Sequence, residues 1–106
     1  MTDASHRQFP TNRRAADREA MEAAWDAADA LWDKIAALNE RVARGVAYVG
    51  ENPSDRKARG LLASLRKERR ELVTDYDAAL AEFRKAEDGY LASVTECRMY
   101  GIEEEQ

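Results

Sequence analysis

Two long stretches of apolar residues, separated by Gly50-Glu51-Asn52-Pro53, constrain the fold of this chain more than any other feature. In both stretches the apolar residues are spaced alternately by three and four, which places them on one side of a helix. Glycine and proline between two such segments predict a reversal of the chain. We therefore expect an all-α fold, an antiparallel two-helix hairpin of the coiled-coil type.

The first stretch defines a heptad repeat, whose seven positions are written a to g. With Trp25 at position a, this repeat predicts the residues through which the first helix contacts the second. Leu31 and Leu38, at position g, widen the apolar side. The predicted contact residues are Met21, Trp25, Ala28, Trp32, Ile35, Asn39, Val42, Val46 and Val49.

The second stretch repeats the pattern, and Val73, Leu80 and Val94 widen it at position e. Its predicted a positions are Leu62, Arg69, Tyr76, Phe83, Tyr90 and Cys97, and its d positions are Leu65, Leu72, Ala79, Ala86, Ser93 and Tyr100.

Capping residues predict where the helices begin and end. We expect a flexible N-terminal arm over residues 1–10, one hairpin domain over residues 11–100 and an acidic tail over residues 101–106. Within the domain, helices are predicted at 11–49 and 54–100, with a turn at 50–53 and Asn52 as the cap of the second helix. Gly45 leaves one alternative open, in which the first helix ends at Arg44.

The position of the turn predicts which residues of the two helices lie side by side. With its centre near residue 51, residues whose numbers add to about 102 lie at equal heights, since both helices rise equally per residue. Trp25 would then lie near Tyr76 and Ala79. Trp32 would lie near Leu72 and Arg69, whose guanidinium would stack on the indole.

Two helices alone leave apolar flanks uncovered, which predicts self-association. A chain of 106 residues and 12.0 kDa buries proportionally little surface. A homodimer that forms a four-helix bundle would cover the flanks. Asn39 and Arg69 at a positions would set the register of this dimer or, alternatively, reach solvent. The predicted dimer and register residues are Leu31, Leu38, Asn39, Arg69, Val73 and Leu80.

Charge is unevenly distributed along the chain. Residues 34–75 carry ten basic and six acidic side chains, whereas residues 76–106 carry three and eight. Such an arrangement favours an oppositely charged partner or the antiparallel docking of two copies. Candidate partner-binding carboxylates are Asp26, Asp29, Asp33, Glu71 and Asp75. A basic ladder on the second helix, suited to nucleic acid or an acidic partner, comprises Arg56, Arg59, Arg66 and Arg70.

Catalytic and metal-binding patterns are few. His6 is the only histidine, and neither glycine-rich phosphate-loop fingerprint occurs. Cys97 is the only cysteine and is expected in the core, in a reducing compartment. No apolar run reaches the ~20 residues that a membrane span needs. We expect no enzyme activity, no cofactor, no metal, no membrane partner and a cytoplasmic location.

These observations predict a non-catalytic helical protein that binds another macromolecule through its charged helical faces. It would serve as an adaptor, a regulator or an inhibitor. The alanine-, arginine- and acid-rich composition is typical of bacterial or phage proteins, and a phage-encoded inhibitor is one such form. The alternatives are a nucleic-acid-binding hairpin that uses the basic ladder, and a structural or assembly component.

Overall fold

The protein is an all-α helical hairpin. The structure, a computed structural model, describes the backbone of residues 2–99 and the side chains of residues 13–99. Helix α1 spans Thr2–Glu51 and helix α2 spans Arg56–Met99, and no strand occurs in this part of the chain. The predicted fold class is therefore confirmed. Neither helix, over its described residues, has a segment that is long and apolar enough to cross a membrane.

Helix α1 begins earlier than the sequence predicted. Residues 2–10, expected as a flexible arm, continue the helix, and Pro10 lies inside it. The prediction treated Pro10 as a boundary. A proline inside a helix costs roughly 3 kcal/mol, but the neighbouring residues include no glycine or second proline that would end the helix. The acidic tail predicted over residues 101–106 lies outside the described residues.

The turn is formed by residues 52–55, two positions later than predicted. The amide N–H of Asn52 donates to the carbonyl of Tyr48 at 2.9 Å, so Asn52 closes the end of α1 and does not cap α2. Asp55 caps α2 instead, since its Oδ1 accepts the amide N–H of Ala58 at 3.0 Å. The residue before a proline avoids the helical conformation, which ends α1 ahead of Pro53.

The described residues belong to two compact units, each containing a segment of both helices. The turn unit comprises residues 28–78, and the terminal unit comprises the described residues 2–27 and 79–99. In the turn unit, Trp32 contacts Tyr76 and Asn39 contacts Arg69, so paired residue numbers add to 108. In the terminal unit, Trp25 contacts Phe83, with the same sum. The predicted sum of about 102 was wrong because the turn is centred later than residue 51.

In the turn unit, α1 contacts α2 through only some of the predicted residues. Positions d and g form the contact line, whereas the a residues Trp32, Asn39 and Val46 are exposed. Trp32 is 51% exposed and Leu38, predicted on the uncovered flank, is 3% exposed. An indole is too bulky for two closely packed helices, and the smaller g side chains fit between them. The buried residues are Ala28, Ile35, Leu38 and Val42, with Leu31, Gly45 and Val49 half-buried.

Helix α2 uses the contact residues that its repeat predicted. In the turn unit, Leu62 is buried and Leu65, Arg69, Leu72 and Tyr76 are half-buried. In the terminal unit, Ser93 and Cys97 are fully buried, and the Ser93 hydroxyl donates a hydrogen bond to the carboxylate of Asp17. An ion pair between Arg13 and Glu96 also joins α1 to α2 in this unit.

Candidate interaction surfaces

An exposed, partly aromatic surface of the turn unit is the first candidate site. It consists of residues at position a of α1 and at positions a and e of α2, and we call it the central face. Trp32, Val46 and Val73 on this face are large apolar side chains that stay 40–51% exposed. Exposed apolar groups that share one face mark interaction sites more often than single ones do. The members of the central face are Trp32, Asn39, Val46, Arg69, Val73 and Tyr76.

Contacts between the two helices hold the polar and aromatic members of this face in place. The rings of Trp32 and Tyr76 lie 5.4 Å apart at 45°. Nη1 of Arg69 donates to Oδ1 of Asn39 at 3.3 Å, so this guanidinium binds the amide and does not stack on the indole as predicted. An aromatic pair contributes ~0.5–1.5 kcal/mol beyond its buried area. The indole is thus held by Tyr76 while about half of the residue remains open to solvent.

The terminal unit has an aromatic pair of its own. The rings of Trp25 and Phe83 lie 5.1 Å apart at 60°, in an edge-to-face arrangement, and Trp25 is 49% exposed. Leu80, predicted to contact a second copy, is half-buried in this unit. The predicted role of Leu80 in a dimer stays a prediction.

The predicted acidic residues are all exposed, but the heptad positions separate them. In the turn unit, Asp29 and Asp33 lie at positions e and b of α1, beside the central face. Glu71 and Asp75 lie at positions c and g of α2, on its opposite flank. Asp26 belongs to the terminal unit. Among the described residues, no group of three carboxylate, histidine or cysteine side chains is arranged to hold a metal ion.

The basic ladder borders the central face. Its members lie at positions b and e of α2, and all four are exposed: Arg56, Arg59, Arg66 and Arg70. Arg66 and Arg70 lie at the same flank as Val73, which is a position-e residue. A ligand bound along this ladder would therefore contact the central face as well.

A second candidate site, which sequence reasoning missed, is an apolar groove beside the turn. We call it the turn groove; its volume is about 430 Å³. The floor consists of Gly45, Ala58, Leu61, Leu62 and Leu65, and the rim consists of Arg44, Tyr48, Asp55 and Lys57. The available signal is a glycine on α1 opposite a cluster of leucines on α2, but from the sequence Gly45 was considered only as an alternative end of the first helix.

One side of the groove is held by a hydrogen bond between Tyr48 and Asp55. The Tyr48 hydroxyl donates to Oδ2 of Asp55 at 2.9 Å. The hydrogen bond to Asp55, and then its negative charge, raise the pKa of Tyr48. The pKa of Asp55 is lowered, first by the amide of Ala58 and then by the Tyr48 hydroxyl. The carboxylate of Asp55 is thus already engaged by two donors of its own unit.

Comparison with known proteins identifies no relative of this chain. No family model matches the chain, and no curated protein or solved structure is significantly similar to it.

Proposed function

We propose that this protein acts by binding, as a helical interaction protein that docks another helical surface on its central face. The observation that carries the proposal is the exposure of Trp32, Val46 and Val73 on one side of the turn unit. Tryptophan is enriched among the residues that dominate binding energy at protein interfaces. Covering these three side chains would remove apolar surface from water, which is the main favourable term in protein association.

The first partner that we propose is a second copy of the chain, in a dimer of hairpins that forms a four-helix bundle. Charge within the turn unit supports this choice. Residues 39–69 carry eight basic and four acidic side chains, whereas residues 28–38 and 70–78 together carry two and five. A second turn unit docked in the opposite direction would place each positive half against a negative half.

The shape of α1 also supports helix packing at this face. Ala36 and Ala43 are exposed at position e, next to Trp32, Asn39 and Val46. Small side chains let a second helix approach closely, and a wide apolar side is what four-helix bundles bury. Because the basic ladder borders the same face, nucleic-acid binding and dimerisation would compete for this side of α2.

Light scattering coupled to gel filtration, over a wide range of protein concentration, tests the proposal. We expect twice the 12.0 kDa chain mass for the unmodified protein. Val73→Glu places a charge on the central face at a position outside the contact line, and it should shift the mass to that of a single chain. Leu91→Glu is the matched control, because Leu91 is exposed in the terminal unit. Circular dichroism checks that both variants remain helical.

A single-chain mass at every concentration would contradict the dimer. An unchanged dimer in both Val73→Glu and Trp32→Glu would show that a different surface mediates association. A mobility shift of single-stranded or duplex nucleic acid that disappears with Arg66→Ala and Arg70→Ala would instead favour the nucleic-acid alternative, since phosphate contacts depend on these charges.

A further inference from the structure

We infer that the turn groove is a second, separate docking site, and that its ligand is an acidic amphipathic segment of a partner protein. Apolar side chains of that segment would lie on Leu61, Leu62 and Leu65. Its carboxylates would lie against Arg44 and Lys57 at the rim. This inference goes beyond the proposed function, because it concerns a different surface and a different partner.

The floor of the groove provides the apolar part of the site. Leu61 is 60% exposed, although it adjoins Leu62, which is buried between the helices. A methyl group on Gly45 would lie 3.1 Å from Cδ1 of Leu62, so any larger side chain at position 45 would fill part of the floor. A volume of about 430 Å³ falls within the ~300–1,000 Å³ of known ligand sites.

Charged side chains at the rim of the groove determine which sign of charge a ligand should carry. Arg44 and Lys57 are exposed on opposite sides of the groove, on α1 and α2 respectively. Arg41 precedes Arg44 by three residues and so lies on the same side of α1. The carboxylate of Asp55 accepts hydrogen bonds from Tyr48 and Ala58 and keeps its negative charge. Arg44 and Lys57 outnumber it among the lining residues, so the charge at the rim is net positive.

The beginning of α2 adds to this preference. The first turn of α2 contains no acidic residue but includes Arg56, Lys57 and Arg59. Basic side chains near the N-terminus of a helix interact unfavourably with its dipole. Carboxylates from a partner would offset this effect.

The form of the groove favours a protein segment over a lipid or a nucleic acid. A small lipid needs a cavity that covers most of its surface, whereas this groove is open along one side. Single-stranded nucleic acid binds by stacking its bases on aromatic rings, and the floor here is aliphatic. An amphipathic helix can lay apolar side chains spaced by three and four residues into such an open groove.

The turn groove and the central face lie on different sides of the turn unit. Arg44 and Tyr48 are each two residues from Val46, and a separation of two residues corresponds to a rotation of about 200° around the helix. On α2, the groove uses positions c, d and g, with Leu62 and Asp55 at position a beside the turn, whereas Val73 of the central face is at position e. The groove would stay open in a dimer formed through the central face.

Fluorescence anisotropy with the full chain and designed peptides tests the inference. The probe is a labelled helical peptide with leucine at every third or fourth position and glutamate elsewhere. We expect it to bind, and its lysine counterpart to bind at least about tenfold more weakly. Leu61→Ser and Arg44→Glu should each weaken binding of the acidic peptide by a similar factor. The matched controls, Leu91→Ser and Arg84→Glu, change exposed residues of the terminal unit and should leave it unchanged.

Three results would overturn the inference. The first is equal binding of the acidic and the basic peptide. The second is equal weakening by Leu61→Ser and Leu91→Ser. The third is displacement of the acidic peptide by oleate or by a single-stranded oligonucleotide. That competitor would have to bind more tightly than the peptide and bind Leu61→Ser more weakly than the unmodified protein. The groove would then accept a different class of ligand.

Discussion

At the scale of single residues, the lack of a side chain at Gly45 affects both the packing of the two helices and the shape of the turn groove. Glycine in a helix interior costs ~0.5–1 kcal/mol relative to alanine, and this cost made Gly45 a candidate helix stop. In the structure, α1 continues through Gly45, and Leu62 of α2 packs against it. The absent side chain therefore serves close helix packing. It also leaves the floor of the turn groove open.

The Tyr48–Asp55 hydrogen bond predicts how stability changes with pH. The pKa of Asp55 is lowered from 3.8, so its contribution is complete above that pH and is lost as the pH falls through the lowered pKa. The pKa of Tyr48 is raised from 10.0, so its contribution is lost only as the pH rises through the raised pKa. We expect the thermal midpoint, followed by circular dichroism, to fall at both extremes.

Substitutions separate this effect from general acid or alkaline unfolding. Asp55→Asn should reduce the acid part of the change and Tyr48→Phe the alkaline part. Asp77→Asn, an exposed carboxylate away from the turn, is the control for the acid arm. Identical acid profiles for Asp55→Asn and the unmodified protein would contradict the assignment.

At the scale of the elements, the sequence predicted α2 better than α1. The contact residues of α2 are aliphatic, small or moderately aromatic, so the heptad pattern alone located them. On α1, the two tryptophans dominated the pattern and drew the predicted contact line onto positions a and d, whereas the structure uses d and g. Which positions form the contact line depends on how the indoles and the smaller residues beside them fit between the two helices. This fit is known only once the helices are packed together. The turn groove was missed for the same reason, since it requires Gly45 and Leu61 to be brought together.

Two leucines with different burial provide a direct test of the observed contact line. Leu38 is buried between the helices, whereas Leu61 is 60% exposed. Truncating a buried leucine to alanine costs ~2–5 kcal/mol, because it loses apolar burial and leaves a cavity. We expect Leu38→Ala to lower the free energy of unfolding by that amount in a urea titration, and Leu61→Ala by less than about 1 kcal/mol.

The comparison is informative because both variants carry the same substitution. Trp32→Ala completes the series, and its cost should lie below that of Leu38→Ala. A larger loss of unfolding free energy for Trp32→Ala than for Leu38→Ala would favour the contact line that the sequence predicted. The measurement needs one protein concentration throughout, since dimerisation would change apparent stability.

At the scale of the whole molecule, the arrangement of α1 predicts how two copies meet. Trp32 and Val46 lie seven residues before and after Asn39, and Ala36 and Ala43 lie between them. If two α1 helices cross in opposite directions at Asn39, Trp32 of one copy lies against the small Ala43 and the neighbouring Val46 of the other. Large side chains then meet small ones, and the opposite charges of the two halves also face each other.

Disulfide formation between engineered cysteines tests this orientation. A disulfide forms only when the two Cα atoms lie within about 7 Å. We expect a mixture of Ala36→Cys and Ala43→Cys chains, in a Cys97→Ala background, to form the mixed disulfide faster than either chain links to itself. Ala37→Cys mixed with Ala43→Cys is the control, because position 37 lies on the outer side of α1. Rapid linkage of Ala36→Cys to Val73→Cys would instead show that α1 of one copy packs on α2 of the other. The two copies would then run in the same direction, with like charges together.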